Sequence, residues 1–223
     1  MTTGSRTSRN PIPREGNIMR TNNHDHRRPG MAQRLGAALG ALGRHLVAID
    51  ATLWAKAMIK ADAVILDTET TDLRNAGIIE IALISARTGE RLYESLVDPG
   101  DKPINPDAAK VHGITPEVVT GAPLWSAVLP EVLKATEGRL VLAYNKKFDI
   151  GAIRDDCARY ELDPQHLGDD ANWGCLMLRL SDFLRITASR KLNGGHRAVG
   201  DAQAARKVLL TIARKIKPAE RNA

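Results

Sequence analysis

Sulfur and aromatic rings are scarce in this chain. Two cysteines in 223 residues, Cys157 and Cys175, provide neither a disulfide framework nor the paired spacing of a zinc site. Aromatic residues make up 4%, so most core volume has to come from Leu, Ile, Val and Ala, and a broad platform for stacking successive bases is not expected. No apolar run reaches the length of a membrane span. The polar, Arg-containing first thirty residues have no apolar region of the signal-peptide kind. No membrane partner is therefore expected, and the cytoplasm is the expected compartment. What is present is 43% apolar residues, enough for one core with room for extensions.

The formal charge of +6 is unevenly placed. Residues 1–61 hold ten Lys/Arg against three Asp/Glu, residues 62–213 hold 18 against 22, and residues 214–223 hold four against one. Basic ends around a mildly acidic centre fit attraction to a polyanion; solvated tails are the alternative. Residues 1–30 read as a disordered basic tail, with Met31 a second candidate start. From 31 to 61, Leu35, Leu39, Leu42, Leu46, Ile49, Leu53 and Met58 recur at helical spacing. This predicts one or two amphipathic helices that pad the domain or mediate self-association or a protein contact. The main domain is expected at 62–215, followed by a short basic tail at 216–223.

Within that domain, Ala63–Leu66, Gly77–Ala86 and Arg91–Val97 read as three strands joined by short polar connections. Short connections favour an antiparallel meander. A helix from about Trp125 to Glu137, a strand Leu140–Tyr144, a helix from about Phe148 to Tyr160, a segment Trp173–Leu184 and a last helix Ala198–Lys215 follow. This order predicts an α/β fold with a mixed sheet and helices on its faces.

The string A-V-I-L-D-T-E-T at 63–70 puts Asp67 and Glu69 two apart on a strand, hence on one face. Adjacent anions are costly unless a cation sits between them, and a divalent metal ion supplies one. Asp149 lies at the start of a helix in A-Y-N-K-K-F-D, where a carboxylate also serves as a simple helix-end charge. His196 and Asp201 are five apart in G-G-H-R-A-V-G-D-A, about 140° on a helix, so they share a site only if His196 lies in the loop before it. Asn145 either donates to a phosphate or ends its strand, and Phe148 reads as a core anchor beside Asp149. Lys146 and Lys147 are phosphate contacts or solvated charges.

Together, Asp67-x-Glu69, Asp149 and His196-x-x-x-x-Asp201, with Thr70-Thr71 and His112-Gly113-Ile114-Thr115, resemble the DnaQ-like (DEDDh) 3'-5' exonuclease family over residues 62–213. The family includes the proofreading epsilon subunit of DNA polymerase III, RNase T and oligoribonuclease. Two positions depart from its pattern: Asp72 stands where Gly is frequent, and Tyr144 where His is frequent. The resemblance implies a ribonuclease H-like fold with a mixed five-stranded sheet. It also implies two divalent ions, Mg2+ or Mn2+, about 3.5–4 Å apart, with Asp67 bridging them. Glu69 and Asp201 would complete the ion that holds the attacking water, Asp149 would support the second, and His196 would take the water's proton. An ordinary histidine titrates near 6.5, so activity is expected to rise from acidic to mildly alkaline pH. The backbone of Thr70 and Thr71, with Leu73, would meet the terminal 3' nucleotide, and His112, Asn145 and Phe148 complete the expected substrate contacts.

The expected substrate is nucleic acid with a free 3' end, single-stranded DNA before RNA; an exoribonuclease of the RNase T or oligoribonuclease type is the alternative. The epsilon subunit carries a long extension after its catalytic domain, whereas about ten residues follow the last helix here, so a stand-alone or N-terminally tethered enzyme is expected. A dehalogenase-like phosphatase also pairs acids two apart after a strand, but it wants Asp second and a late Gly-Asp-x-x-x-Asp; here Gly200-Asp201 leads to Ala205. A basic-tailed nucleic-acid binding module without catalysis is the remaining reading.

Overall fold

The computed structural model describes residues 31–214; the tails expected at 1–30 and 216–223 lie outside the described residues. In chain order the elements are α1 (Met31–Lys60), β1 (Val64–Thr70), β2 (Ile78–Ser85), β3 (Arg91–Leu96), α2 (Pro106–His112), α3 (Pro116–Val119), α4 (Trp125–Thr136), β4 (Val141–Ala143), α5 (Lys146–Arg159), β5 (Trp173–Cys175), α6 (Leu176–Leu184) and α7 (Ala198–Ile212). The five strands form one sheet in the order β3-β2-β1-β4-β5. β1, β2 and β3 pair antiparallel, and β4 joins β1 and β5 in parallel. Short connections make the meander, and the helical crossovers allow the parallel pairs.

Strand parity sorts the core. Val64 and Leu66 of β1 pack with Val128, Val132, Ile150 and Ile153 of α4 and α5. Ile65 packs on the other side with Ala51 and Ala55 of α1, Leu176 of α6 and Ala202, Ala205 and Leu209 of α7. The sheet is thus covered on both faces, as the α/β reading expects.

Three details differ from the sequence reading. β1 runs on to Thr70, because Asp67, Thr68 and Glu69 continue the ladder opposite Ala82, Ile81 and Glu80 of β2; the acids lie within the strand. The segment at Trp173–Leu184 divides into an edge strand and a helix. Residues 31–60 form a single helix whose packed face is made of Ala48, Ala51, Thr52 and Ala55, all under 10% exposed, while the leucines of the apolar stripe point to solvent. The stripe from Leu35 to Leu53 therefore does not pad this domain.

Candidate active site

On β1, residues of one parity share a face, so Asp67 and Glu69 lie on the side of Ile65, where α7 packs. Asp201 enters from the first turn of α7. Ligand oxygens of Asp67, Glu69 and Asp201 all lie within 4.8 Å of one another, and each residue keeps some exposure. Three carboxylates so close form an oxygen-only donor set suited to a hard divalent cation.

Asp149 arrives differently. Thr68 has the parity of Leu66, toward α5, and there its backbone N–H and its hydroxyl donate to Oδ1 of Asp149 at 3.1 and 2.9 Å. The Asp149 carboxylate is buried and close enough to raise the proton affinity of Asp67, yet it stands outside the three-carboxylate cluster.

Burial and mutual repulsion raise the proton affinity of this group. Desolvation first, then the charges of Asp149, Glu69 and Asp201, push Asp67 well above the usual carboxylate range. Desolvation and then Asp201 push Glu69 up to about 8. Asp149 rises to about 7 by desolvation, against the opposing bonds from Thr68, and desolvation also raises Asp201.

The loop before α7 is shaped around Asp201. The backbone N–H of His196 donates to Oδ1 of Asp201 at 3.2 Å. A Cβ on Gly194 would lie 1.7 Å from that oxygen, so only glycine fits there. Gly195 and His196 both have positive φ, +105° and +58°, and the loop thereby turns back on Asp201, leaving the His196 side chain exposed. His196 thus lies in the loop before the helix, the arrangement the five-residue spacing requires.

A fifth carboxylate, overlooked in reading the sequence, fixes this loop. Glu80 on β2 is 2% exposed. Its oxygens accept from Nε of Arg197 at 3.0 and 3.1 Å and from the backbone N–H of Ala198 at 2.9 Å, at the start of α7. It offsets the open amide end of the helix and pins the residue after His196. The signal was present: an acid inside the otherwise apolar run I-I-E-I-A-L-I-S has to find a partner.

An open cavity of about 770 Å3 lies between the turn after β1 and α5, lined among others by Thr70, Leu73, Asn145, Lys147 and Phe148; none of Asp67, Glu69, Asp149 and Asp201 lines it, and Thr70 and Phe148 are the chain neighbours of Glu69 and Asp149. Leu73 is 80% exposed. Phe148 is half-buried at this cavity and is not the core anchor expected. Thr70 and Thr71 are buried; the Thr70 hydroxyl donates to Asp72 O and the Thr71 hydroxyl accepts from Gly77 N. Asp72 accepts from the Asn105 side chain at 2.9 Å and from Leu73 N–H at 2.6 Å; it braces the turn after β1. Tyr144 donates its hydroxyl to Arg190 O and tethers the segment leading to the glycine loop. His112 is buried, accepts from Ile114 N–H through Nδ1 at 3.0 Å, and leaves Nε2 without a partner; desolvation lowers its pKa. Lys146 is paired with Asp170 at 2.7 Å, while Lys147 stays exposed.

Comparison with known proteins gives a consistent result. The sequence model of a family described as exonuclease, RNase T, matches residues 64–209. The chain is 34% identical over 149 residues to the DNA polymerase III epsilon subunit of Pasteurella multocida, covering 62% of this chain and 54% of that protein. It is 28% identical over 176 residues to the PolC-type DNA polymerase III of Caldanaerobacter subterraneus, covering 72% of this chain and 12% of that protein. The chain thus spans about half, or far less, of these relatives. Among solved structures, E. coli exonuclease I in complex with an oligonucleotide superposes with a TM-score of 0.53 at 16% identity, over 68% of this chain and 41% of that one; this is a likeness of fold. Among the described residues no helix is long and apolar enough to cross a membrane.

Proposed function

From its membership of the DnaQ-like exonuclease family, we propose that the chain is a metal-dependent 3'-5' exonuclease that releases nucleotides from single-stranded DNA. The observation that carries the reading is the convergence of Asp67, Glu69 and Asp201 within 4.8 Å; an open cavity of about 770 Å3 begins at Thr70, the residue after Glu69. A cavity of this size suits one terminal nucleotide. Similarity to epsilon subunits of DNA polymerase III favours DNA over RNA.

Two divalent cations, Mg2+ or Mn2+, bound here would activate a water, neutralise the phosphate and stabilise the leaving oxygen. Asp67, Glu69 and Asp201 would hold them, with Asp149 supporting from the α5 side. His196, exposed beside Asp201, takes the proton of the attacking water in its neutral form. Arg197 and Glu80 fix the backbone on which that histidine turns. The Thr70–Thr71 backbone and Leu73 receive the terminal sugar and base, Phe148 and Asn145 flank them from the opposite wall, and Lys147 meets the next phosphate. His112 braces the Thr70 end of the cavity.

The test is a time course with 3'-labelled and 5'-labelled single-stranded DNA and RNA in Mg2+, with and without chelator. Immediate release of the 3' label as mononucleotide, from DNA faster than from RNA, and only without chelator, is the expected result. Preference for RNA would move the assignment to an exoribonuclease, and chelator-resistant cleavage would overturn it.

A further inference from the structure

Helix α1 carries a stripe that nothing in the described chain covers. Leu35, Leu39, Leu42, Leu46 and Leu53 are 56–61% exposed and Ile49 36%. Their spacing alternates four and three from 35 to 53, the 3.5-residue repeat with which one helix packs along another. On a helix these six fall within an arc of about 80°, opposite the alanine face that binds the domain. No charged residue interrupts the stripe.

From Leu35 to Arg44 every side chain is exposed, so this part of α1 stands clear of the domain. It also contains Gly36, Gly40 and Gly43, each unfavourable in a helix interior. A helical stretch of ten residues with three glycines and no packing of its own is marginal in water. A Cβ on Gly36 or Gly43 would meet nothing within 4 Å and neither has positive φ, so the fold of the single chain requires glycine at neither position. Both flank the leucine stripe, where a missing side chain lets another backbone approach closely.

We propose that α1 is a homodimerisation helix, its Leu35–Leu53 stripe packing against the same stripe of a second copy of this chain. A two-fold pairing makes one patch its own complement, and a single apolar seam of 3.5-residue period fits an identical seam. At about 100 Å2 of apolar surface per residue, six residues from each copy bury roughly 1,200 Å2, the lower bound of specific interfaces. The seam faces away from the sheet, so each copy keeps its own carboxylate cluster accessible.

The test is sedimentation of the full chain at about 10–100 µM, the weak end of affinities for interfaces of modest area, beside the Leu39→Glu/Leu46→Glu variant. Twice the chain mass for the parent, and a monomer for the variant with unchanged melting temperature and unchanged nuclease rate per chain, is expected. Leu39→Ala/Leu46→Ala should give an intermediate dissociation constant. A monomeric parent, or a dimer that survives both substitutions, overturns the proposal. So does a stripe that proves to bind vesicles, oligonucleotide or another protein while the chain itself stays monomeric. A loss of nuclease activity in the parent would leave the dimer reading intact, because mass and rate are read separately.

Discussion

Glu69, with its pKa raised to about 8, makes the cluster a pH-dependent liability whenever metal is withheld. An acid whose folded pKa lies above its unfolded one binds protons more tightly in the native state, so stability declines as pH rises from the unfolded pKa to the folded one. Asp67, Asp149 and Asp201 shift in the same direction. In chelator, the melting temperature should therefore fall between about pH 4.5 and 8, whereas Mg2+ should oppose that fall, its stabilising shift growing with pH. A flat metal-free profile in thermal melts would contradict the assignment of these raised values. Asp67→Ala or Asp201→Ala should lower the nuclease rate by at least about a thousandfold while leaving the metal-free fold at least as stable, since one anion of a repelling set is gone. Gly194→Ala should cut activity as well, because its methyl would occupy the place of the Asp201 carboxylate; circular dichroism should show the helices retained.

At the scale of elements, the sequence told most where side-chain chemistry and local period agree. The pair Asp67 and Glu69 was legible because parity on a strand puts them on one face, and the ladder to Ala82 and Glu80 only lengthens that strand. Helix α1 shows the opposite. A stripe of bulky apolar residues ordinarily marks the buried face, yet here small alanines let the helix lie close to α6 and α7 while the leucines remain free. Period alone does not say which apolar face is used inside the chain. Glu80 escaped notice because its partner, Arg197, is 117 positions away, and Asp149 was placed in the site without sign of the Thr68 bonds that turn it. Glu80→Gln should cost about 1–3 kcal/mol by weakening the bonds of a buried acceptor to Arg197 and Ala198, measured by urea unfolding. It should also reduce the nuclease rate through the His196 loop, and that reduction should exceed any change in KM.

For the whole molecule, metal and fold are linked. Any ion that binds only the native cluster stabilises it by mass action, by about 2.7 kcal/mol at a concentration one hundred times its Kd. Millimolar Mg2+ or Mn2+ should raise the melting temperature of the parent but much less that of Asp67→Ala, and calorimetry with and without chelator measures the difference. The three-carboxylate cluster draws on β1 near the start of the domain and on α7 near its end, while Asp149, outside it, comes from α5 in between. During synthesis, then, a growing chain lacks the complete cluster until Asp201 has left the ribosome and α7 has docked. A chain cut short before residue 198 would carry Asp67, Glu69 and Asp149 without Asp201, so metal should not stabilise such a fragment as it does the full chain.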